Sequence, residues 1–206
     1  MTRTRIAVLD YGIGNLRSAQ KALEHVGGDA FLTGSHDEAM SADAVVLPGV
    51  GAFGACMDAL RSSGLEPAVR DAVASGRPFI GICVGMQMLF DSSEEDPSAT
   101  GLGVIPGRVR FIPEGVTRPQ MQWNRLHVTS PDPMFDGLGD DPWMYFVHSL
   151  HGVPTDDSDV AATVRYGATL NVAFRRGNVF ATQFHPEKSA TAGLALLANF
   201  VKAASA

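Results

Sequence analysis

Cysteine is scarce in this sequence: two residues, Cys56 and Cys83, among 206. Two thiols in a chain of that length make no disulfide framework, and no signal peptide precedes them. A reducing cytoplasm is the expected setting, and each thiol needs its own explanation. Positive charge is also short, with 16 Lys+Arg against 22 Asp+Glu and a formal net charge of −6. Without a basic block the chain is poorly equipped to grip phosphate backbones, so no nucleic-acid partner is expected. No apolar run reaches the roughly 18 residues that a spanning helix needs, so no membrane association is expected either. Repeats and low-complexity tracts are missing too. What is present is a globular composition, 45% hydrophobic and 18% charged, long enough to bury a sizeable core. Residues 1–206 read as a single domain.

The first half alternates apolar, β-branched runs with helical spacing. Arg5–Asp10, Ala30–Thr33, Ala44–Leu47 and Pro78–Cys83 read as strands. Leu16, Ala19, Leu23 and Val26 recur at helical spacing until Gly27-Gly28. Met57–Leu60, Ala68–Ala74 and Gly85–Asp91 read as further helical pieces. That order implies a parallel sheet with right-handed crossovers. Ser92–Gly103 is polar, with Pro and Gly, and reads as a surface loop. The second half turns strand-rich: Val104–Ile112, Leu126–Thr129, Met144–His148, Val160–Tyr166, Asn171–Arg176 and Val179–Phe184, with a hairpin turn at Arg175–Asn178. A closing helix puts Ala190, Leu194, Leu197 and Val201 on one face, with Ser189 or Thr191 as cap. The expected fold is an α/β three-layer sandwich: a mostly parallel central sheet, helices on both faces, and an antiparallel extension from the second half.

The strongest chemical pattern is Gly81-Ile82-Cys83-Val84-Gly85, where a buried strand meets a helix. It is related to G-x-S-x-G, which sets a nucleophile on a sharp strand-to-helix turn. Such a turn crowds any Cβ two residues to either side, so Gly81 and Gly85 leave room. Cys83 would project at the carboxyl edge of the sheet, where open α/β sheets place ligands. Its thiol would lie at a helix N-terminus, which favours thiolate. The N–H of Val84 would point where an oxyanion forms on an attacked carbonyl. Taken alone, the pattern also fits a small buried hydrophobe after a core strand. Cys56 sits in a helical pattern without a glycine bracket and reads as a packing residue.

A thiol nucleophile wants a base, and the base wants an orienting group. His185 follows the apolar strand Val179–Phe184, Pro186 ends that strand, and Glu187 falls two residues beyond His185. A carboxylate at that spacing folds back onto one imidazole nitrogen and leaves the other free for the thiol. By itself His-Pro-Glu also fits a strand-end histidine with a solvated glutamate. His25, His36, His127, His148 and His151 lack such a setting. His148 and His151 lie three apart in a Gly- and Pro-flanked loop with no further ligand at zinc-like spacing, so no metal site is expected. Gly12 and Gly14 are not a dinucleotide fingerprint, since Arg17 stands where the third glycine belongs.

Pro48-Gly49-Val50-Gly51, Gly81 to Gln87, and Gln183-Phe184-His185-Pro186-Glu187 together resemble the triad, or class I, glutamine amidotransferases, in the family's order and at its spacing. The resemblance spans essentially the whole chain. It implies a flavodoxin-like central fold and a catalytic triad of Cys83, His185 and Glu187. It further implies an oxyanion hole from the backbone of Val50, Gly51 and Val84, and glutamine binding by Gly49, Gln87, His148 and Ser149. No cofactor is implied. Asp10–Asn15, Met121 with Trp123-Asn124, Phe146–Ser149 and His185–Ser189 resemble one member in particular. In that member ammonia passes to a barrel-shaped synthase, the cyclase subunit of a heterodimer, which uses a phosphorylated ribonucleotide. That partner would be another chain, since this one is too short for such a barrel. Tyr11, Asn15, Met121, Trp123 and Lys188 would face the partner or the ammonia path.

Two places depart from the pattern. Where the family often reads Pro-His-Met-Gly-Trp-Asn, this chain has Pro119-Gln120-Met121-Gln122-Trp123-Asn124; and Leu150 stands where a tyrosine usually follows. In the family both stretches face the partner. Two alternative readings accompany the glutaminase: a catalytically silent binding or regulatory module of the same fold, and a glutaminase serving another acceptor synthase.

Overall fold

A computed structural model describes residues 3–205. Its parallel half consists of β1 (Arg5–Leu9), β2 (Asp29–Thr33), β3 (Ala44–Gly49) and β4 (Phe79–Cys83). These are joined by α1 (Leu16–His25), α2 (His36–Met40), α3 (Phe53–Ser62) and α4 (Glu66–Ala74), and α5 (Val84–Gln87) follows β4 without a break. Every residue of β3 and β4 is buried, which is why both read as unbroken apolar runs. The second half is strand-rich, with β5 (Ser92–Ser93), β6 (Asp96–Thr100), β7 (Gly107–Phe111), β8 (Gln120–Arg125) and β9 (His127–Val128). Then come β10 (Trp143–His148), β11 (Leu150–Pro154), β12 (Val160–Tyr166), β13 (Ala168–Arg176), β14 (Val179–Thr182) and α6 (Ala190–Ala203).

The central sheet has eight strands in the order β2-β1-β3-β4-β14-β13-β12-β9. The pairs from β2 to β14 are parallel, and those from β14 to β9 are antiparallel. This is the mixed sheet that the sequence predicts. Thr182 of β14 stands opposite Ile82 of β4, so the residues just after both strands emerge side by side at one sheet edge. That register alone brings position 185 to position 83. Around the sheet α1 packs on α6, and α2 on α4. A two-stranded ribbon, β8 with β10, and a four-stranded sheet, β11-β7-β5-β6, complete the fold.

Several elements differ from the sequence expectation. The stretch 92–103 is not a plain loop, because β5 and β6 form within it and β5 pairs with β7. Glu94 ties the stretch down: its carboxylate accepts from Phe111 N at 3.0 Å and from Arg110 Nε at 2.8 Å. The helix after Cys83 stops at Gln87 instead of Asp91. The carbonyls of Met88 and Leu89 accept instead from the N–H groups of Leu102 and Ile105, at 2.8 and 2.9 Å. His148 and His151 lie in β10 and β11, not in a loop. In α6 the buried stripe is Gly193, Leu196, Leu197, Phe200 and Val201, and Ala190 is exposed.

Candidate active site

At the end of β4 the backbone of Cys83 takes φ 56° and ψ −113°, a positive φ that a side chain rarely adopts. The glycines around it are required by packing. A Cβ on Gly85 would collide with the Leu47 carbonyl, and one on Gly81 would lie 3.0 Å from the Gly85 carbonyl oxygen. Gly49 makes the same concession from the neighbouring strand, since a Cβ there would stand 2.5 Å from Gly85 N. The turn that carries Cys83 is thus pressed against the end of β3.

His185 arrives from β14 and is anchored to β10. Its N–H donates to the Tyr145 carbonyl at 3.2 Å. The Ser189 hydroxyl donates to the His185 carbonyl at 2.6 Å and accepts from Tyr145 N at 3.0 Å. Ser189 does precede α6, but it makes this clamp in place of a side-chain cap. Nδ1 of His185 lies 2.8 Å from Glu187 Oε1, with both side chains 3% exposed or less. The Cys83 side chain stands beside the same ring, in the wall of one cavity. Burial opposes a charge on this imidazole, but the neighbouring Cys83 and the Glu187 carboxylate outweigh it, and the pKa is pushed up to about 9. The ring therefore holds a proton at neutral pH, with the sulfur on one side and the carboxylate on the other.

These groups border a cavity of about 280 Å³ whose wall includes Val50, Gly51, Cys83, Val84, His185 and Gln87. The N–H groups of Val50 and Gly51 have no hydrogen-bond partner among the described residues. That of Val84 opens α5, where a helix leaves its first donors free. An amide carbonyl placed against Cys83 meets donors of the kind that stabilise a developing oxyanion. The Gln87 amide donates to Gln183 Oε1 at 2.9 Å, and the Gln183 amide reaches to 3.7 Å from Cys83 Sγ. Glu95, the one acidic residue in the wall among the described residues, accepts from Phe53 N at 2.7 Å.

His148 and Ser149 lie in the same wall, together with Leu150. Burial lowers the His148 pKa to about 4, so this ring is neutral. Its Nδ1 lies 2.6 Å from the Leu150 carbonyl and must donate there. The other nitrogen then only accepts, so the Gln120 carboxamide, placed with Oε1 2.9 Å away, has to be turned to present its NH₂ there. This orientation also satisfies the buried amide nitrogen that the reverse one leaves without a partner. Leu150 and Gln120, two of the departures from the family pattern, thus hold His148 from either side.

Residues 7–204 match the family described as glutamine amidotransferase class-I. The chain belongs to the class-I glutamine amidotransferases. It is 49% identical to the imidazole glycerol phosphate synthase subunit HisH of Synechococcus sp. (strain JA-3-3Ab), over 98% of this chain and 95% of the relative. It is 51% identical to the protein of the same name from Synechococcus elongatus, over 96% and 92%. A crystal structure of a glutamine amidotransferase superposes with a TM-score of 0.77 at 26% identity, covering 98% of this chain and 99% of that one.

In this class-I glutamine amidotransferase, Cys83, His185 and Glu187 come together as expected, and Val50, Gly51, Val84, Gln87, His148 and Ser149 share their cavity. Gly49 does not line that cavity; it packs behind it, against Gly85 and Tyr11. Tyr11 is 4% exposed and its hydroxyl donates to the Pro48 carbonyl at 2.7 Å, so it is a buried support and presents no surface to a partner. Asn15 lines a small void with Gly49 and Glu187, whose Oε2 is buried without a partner. Met121 and Trp123 are 62% and 43% exposed on β8, and Lys188 is exposed beside the triad. Sequence reasoning missed Glu95, hidden in an acidic stretch that reads as a solvated loop. It gave Gln183 no role and read Cys56 as packing, although Cys56 donates its thiol proton to the Val50 carbonyl at 3.2 Å.

Proposed function

We propose that this chain is the glutaminase subunit of an imidazole glycerol phosphate synthase, working in histidine biosynthesis in the cytoplasm. The observation that carries the chemistry is the buried Cys83–His185–Glu187 relay opening into a cavity lined by unpaired backbone donors. Glutamine enters with its carboxamide against Cys83. The sulfur attacks the carboxamide carbon, and the electron pair of the C=O bond moves to oxygen, facing the N–H groups of Val50 or Gly51 and Val84. His185 gives its proton to the nitrogen, the C–N bond breaks, and ammonia leaves a glutamyl thioester on Cys83. Water, deprotonated by the now neutral His185, attacks the thioester and releases glutamate. Glu187 keeps the ring oriented throughout. At the far end, the charge of Glu95 suits an α-ammonium group, and Gln87, His148 and Ser149 complete the pocket for a free amino acid.

The second half of the reaction belongs to a partner. The close relatives are each called a subunit of a synthase. The chain pairs as a heterodimer with a barrel-shaped cyclase subunit that consumes the ammonia to make imidazole glycerol phosphate. The exposed Met121, Trp123 and Lys188 give such a partner an apolar and cationic face next to the triad.

The test is glutamate production by the purified chain, with and without a purified cyclase and its nucleotide ligand. The rate is expected to rise when both are added. In the complex, Cys83→Ala should abolish synthesis from glutamine and leave synthesis from ammonium salts intact. Glutamine-dependent synthesis by the Cys83→Ala complex would overturn the nucleophile assignment. A glutaminase rate indifferent to the cyclase would overturn the pairing.

A further inference from the structure

The turn after β14 carries the base, and it is fastened to the edge of a ribbon. β10 pairs with β8 on one side, which leaves its other edge to this turn. The Tyr145 carbonyl accepts from His185 N at 3.2 Å, and the Tyr145 N–H donates to the Ser189 hydroxyl at 3.0 Å. That hydroxyl donates in turn to the His185 carbonyl at 2.6 Å. Two facing residues of antiparallel strands exchange both backbone bonds directly. Here Tyr145 and His185 exchange one, and Ser189 Oγ is inserted into the other, so the contacts close a ring. Ser189 is 1% and His185 2% exposed, which leaves no water at hand to replace a missing link.

The surrounding chain is bent to place this hydroxyl. Ser189 stands at the N-cap of α6, where a serine side chain ordinarily accepts from the first free N–H groups, yet it makes no such bond. Ala190, the first residue of that helix, holds φ 47°, a left-handed conformation that is costly for a residue with a Cβ. Gly193 lets α6 come close, since a Cβ there would collide with the Pro186 carbonyl and stand 2.7 Å from Ser189 Cβ. A forgone cap, a strained residue and a required glycine thus surround one contact. We propose that Ser189 is a positioning residue for glutamine hydrolysis: its hydroxyl sets the spacing between His185 and β10, and so holds the imidazole beside Cys83 with Nδ1 on Glu187. It acts through the backbone of His185 and does not line the glutamine cavity. The inference rests on the glutaminase reading above.

Ser189→Ala removes the link. The Tyr145 N–H is then left buried and unpaired, or it closes directly onto the His185 carbonyl, and the ring shifts. In the full complex with cyclase, kcat for glutamine should fall about tenfold with KM nearly unchanged, because the base is misplaced and the substrate wall is not. Ser189→Cys keeps a weaker donor at the same place and should be faster than Ser189→Ala. Synthesis from ammonium salts by the same complex should stay at the wild-type rate. The second readout is an NMR titration of the His185 ring in the full chain without cyclase. The wild-type ring should hold its proton up to about pH 9, and in Ser189→Ala the midpoint should fall toward the ordinary 6.5 as the ring leaves its partners. An unchanged kcat, or an unchanged midpoint in the slowed variant, would overturn the proposal. So would a Ser189→Cys variant as slow as Ser189→Ala, or ammonium-dependent synthesis that falls in step with kcat. A wild-type complex without glutaminase activity would bring down the functional reading instead, because the titration judges the clamp without glutamine.

Discussion

On the Cys83 side of the cavity, the geometry is set by backbone. Cys83 holds φ 56°, and Gly49, Gly81 and Gly85 leave the space that lets β3 and the turn touch. On the His185 side it is set by side-chain hydrogen bonds. Ser189 clamps the His185 carbonyl to β10, Glu187 holds Nδ1, and Gln120 and Leu150 hold the neighbouring His148. The first arrangement tolerates almost no change of shape. The second tolerates changes of shape but depends on each proton being where its partner needs it. A site assembled from both has a nucleophile fixed by sterics and a base tuned by charge.

That difference predicts different failures. On the His185 side, Glu187→Gln keeps the size of the side chain but removes the charge that helps hold the ring protonated. Glutamine turnover should fall on the order of 10³-fold with the fold intact, as expected when an orienting carboxylate becomes an amide. Steady-state kinetics on the complex, with circular dichroism as the control, checks this. A loss under tenfold would mean that the ring is held by its backbone clamp alone. On the Cys83 side, Gly85→Ala drives a methyl group into the Leu47 carbonyl. The expected cost is about 4 kcal/mol of stability, read from urea unfolding. A cost below about 1 kcal/mol would show that the turn gives way, and the contrast between the two sides would fail.

The same contrast explains what could be read from the sequence. Sterically fixed parts carry fixed residue types, so Gly81-Ile82-Cys83-Val84-Gly85 and the buried runs of β3 and β4 announce themselves. The pairing of β4 with β14 is visible only in the structure, and the meeting of Cys83 with His185 follows from that register. Hydrogen-bonded parts carry no such signature. Gln183 and Gln120 are ordinary polar residues until their partners are known, and Ser189 reads as a helix cap while it acts as a clamp. Tyr11 reads as a surface turn residue because its glycine-rich neighbours do, and only the tertiary contact with Pro48 shows it buried. Cys56 looks like packing because its thiol contact is with a carbonyl six residues earlier, outside any helical register.

The two histidines of the site sharpen the comparison through pH. His185 is raised to about 9, so relative to the unfolded chain its contribution to stability is fully present below pH 6.5 and lost as pH rises through about 9. His148 is lowered to about 4. The unfolded chain therefore binds a proton below pH 6.5 that the folded chain refuses, and stability falls as pH drops from 6.5 toward 4. Each effect is about 3 kcal/mol at full extent. Replacing His148→Asn should flatten the acid limb of a stability-against-pH curve and leave the alkaline limb in place. Urea midpoints at pH 4.5 and 6.5 test it. If the acid limb keeps its slope, His148 is not the group that the fold holds neutral.

The smallest effect is expected on the outer ribbon of the hydrogen-bonded half. Trp123 is 43% exposed and meets Tyr145 edge-on at 5.9 Å between centroids, and Met121 is more exposed still. Neither contacts the triad. Trp123→Ala should therefore change stability by less than about 1 kcal/mol, the usual range for a half-exposed side chain with one aromatic neighbour. Basal hydrolysis of glutamine by the free chain should not move. If β8 is the face that meets the cyclase, the variant will need several-fold more cyclase to reach half-maximal stimulation, because exposed tryptophans carry a large share of binding energy in such contacts. A titration of glutaminase rate against cyclase concentration separates the two quantities. A variant whose stimulation curve overlays the wild type would move the partner off this ribbon and leave β8 and β10 as a purely structural support for His185.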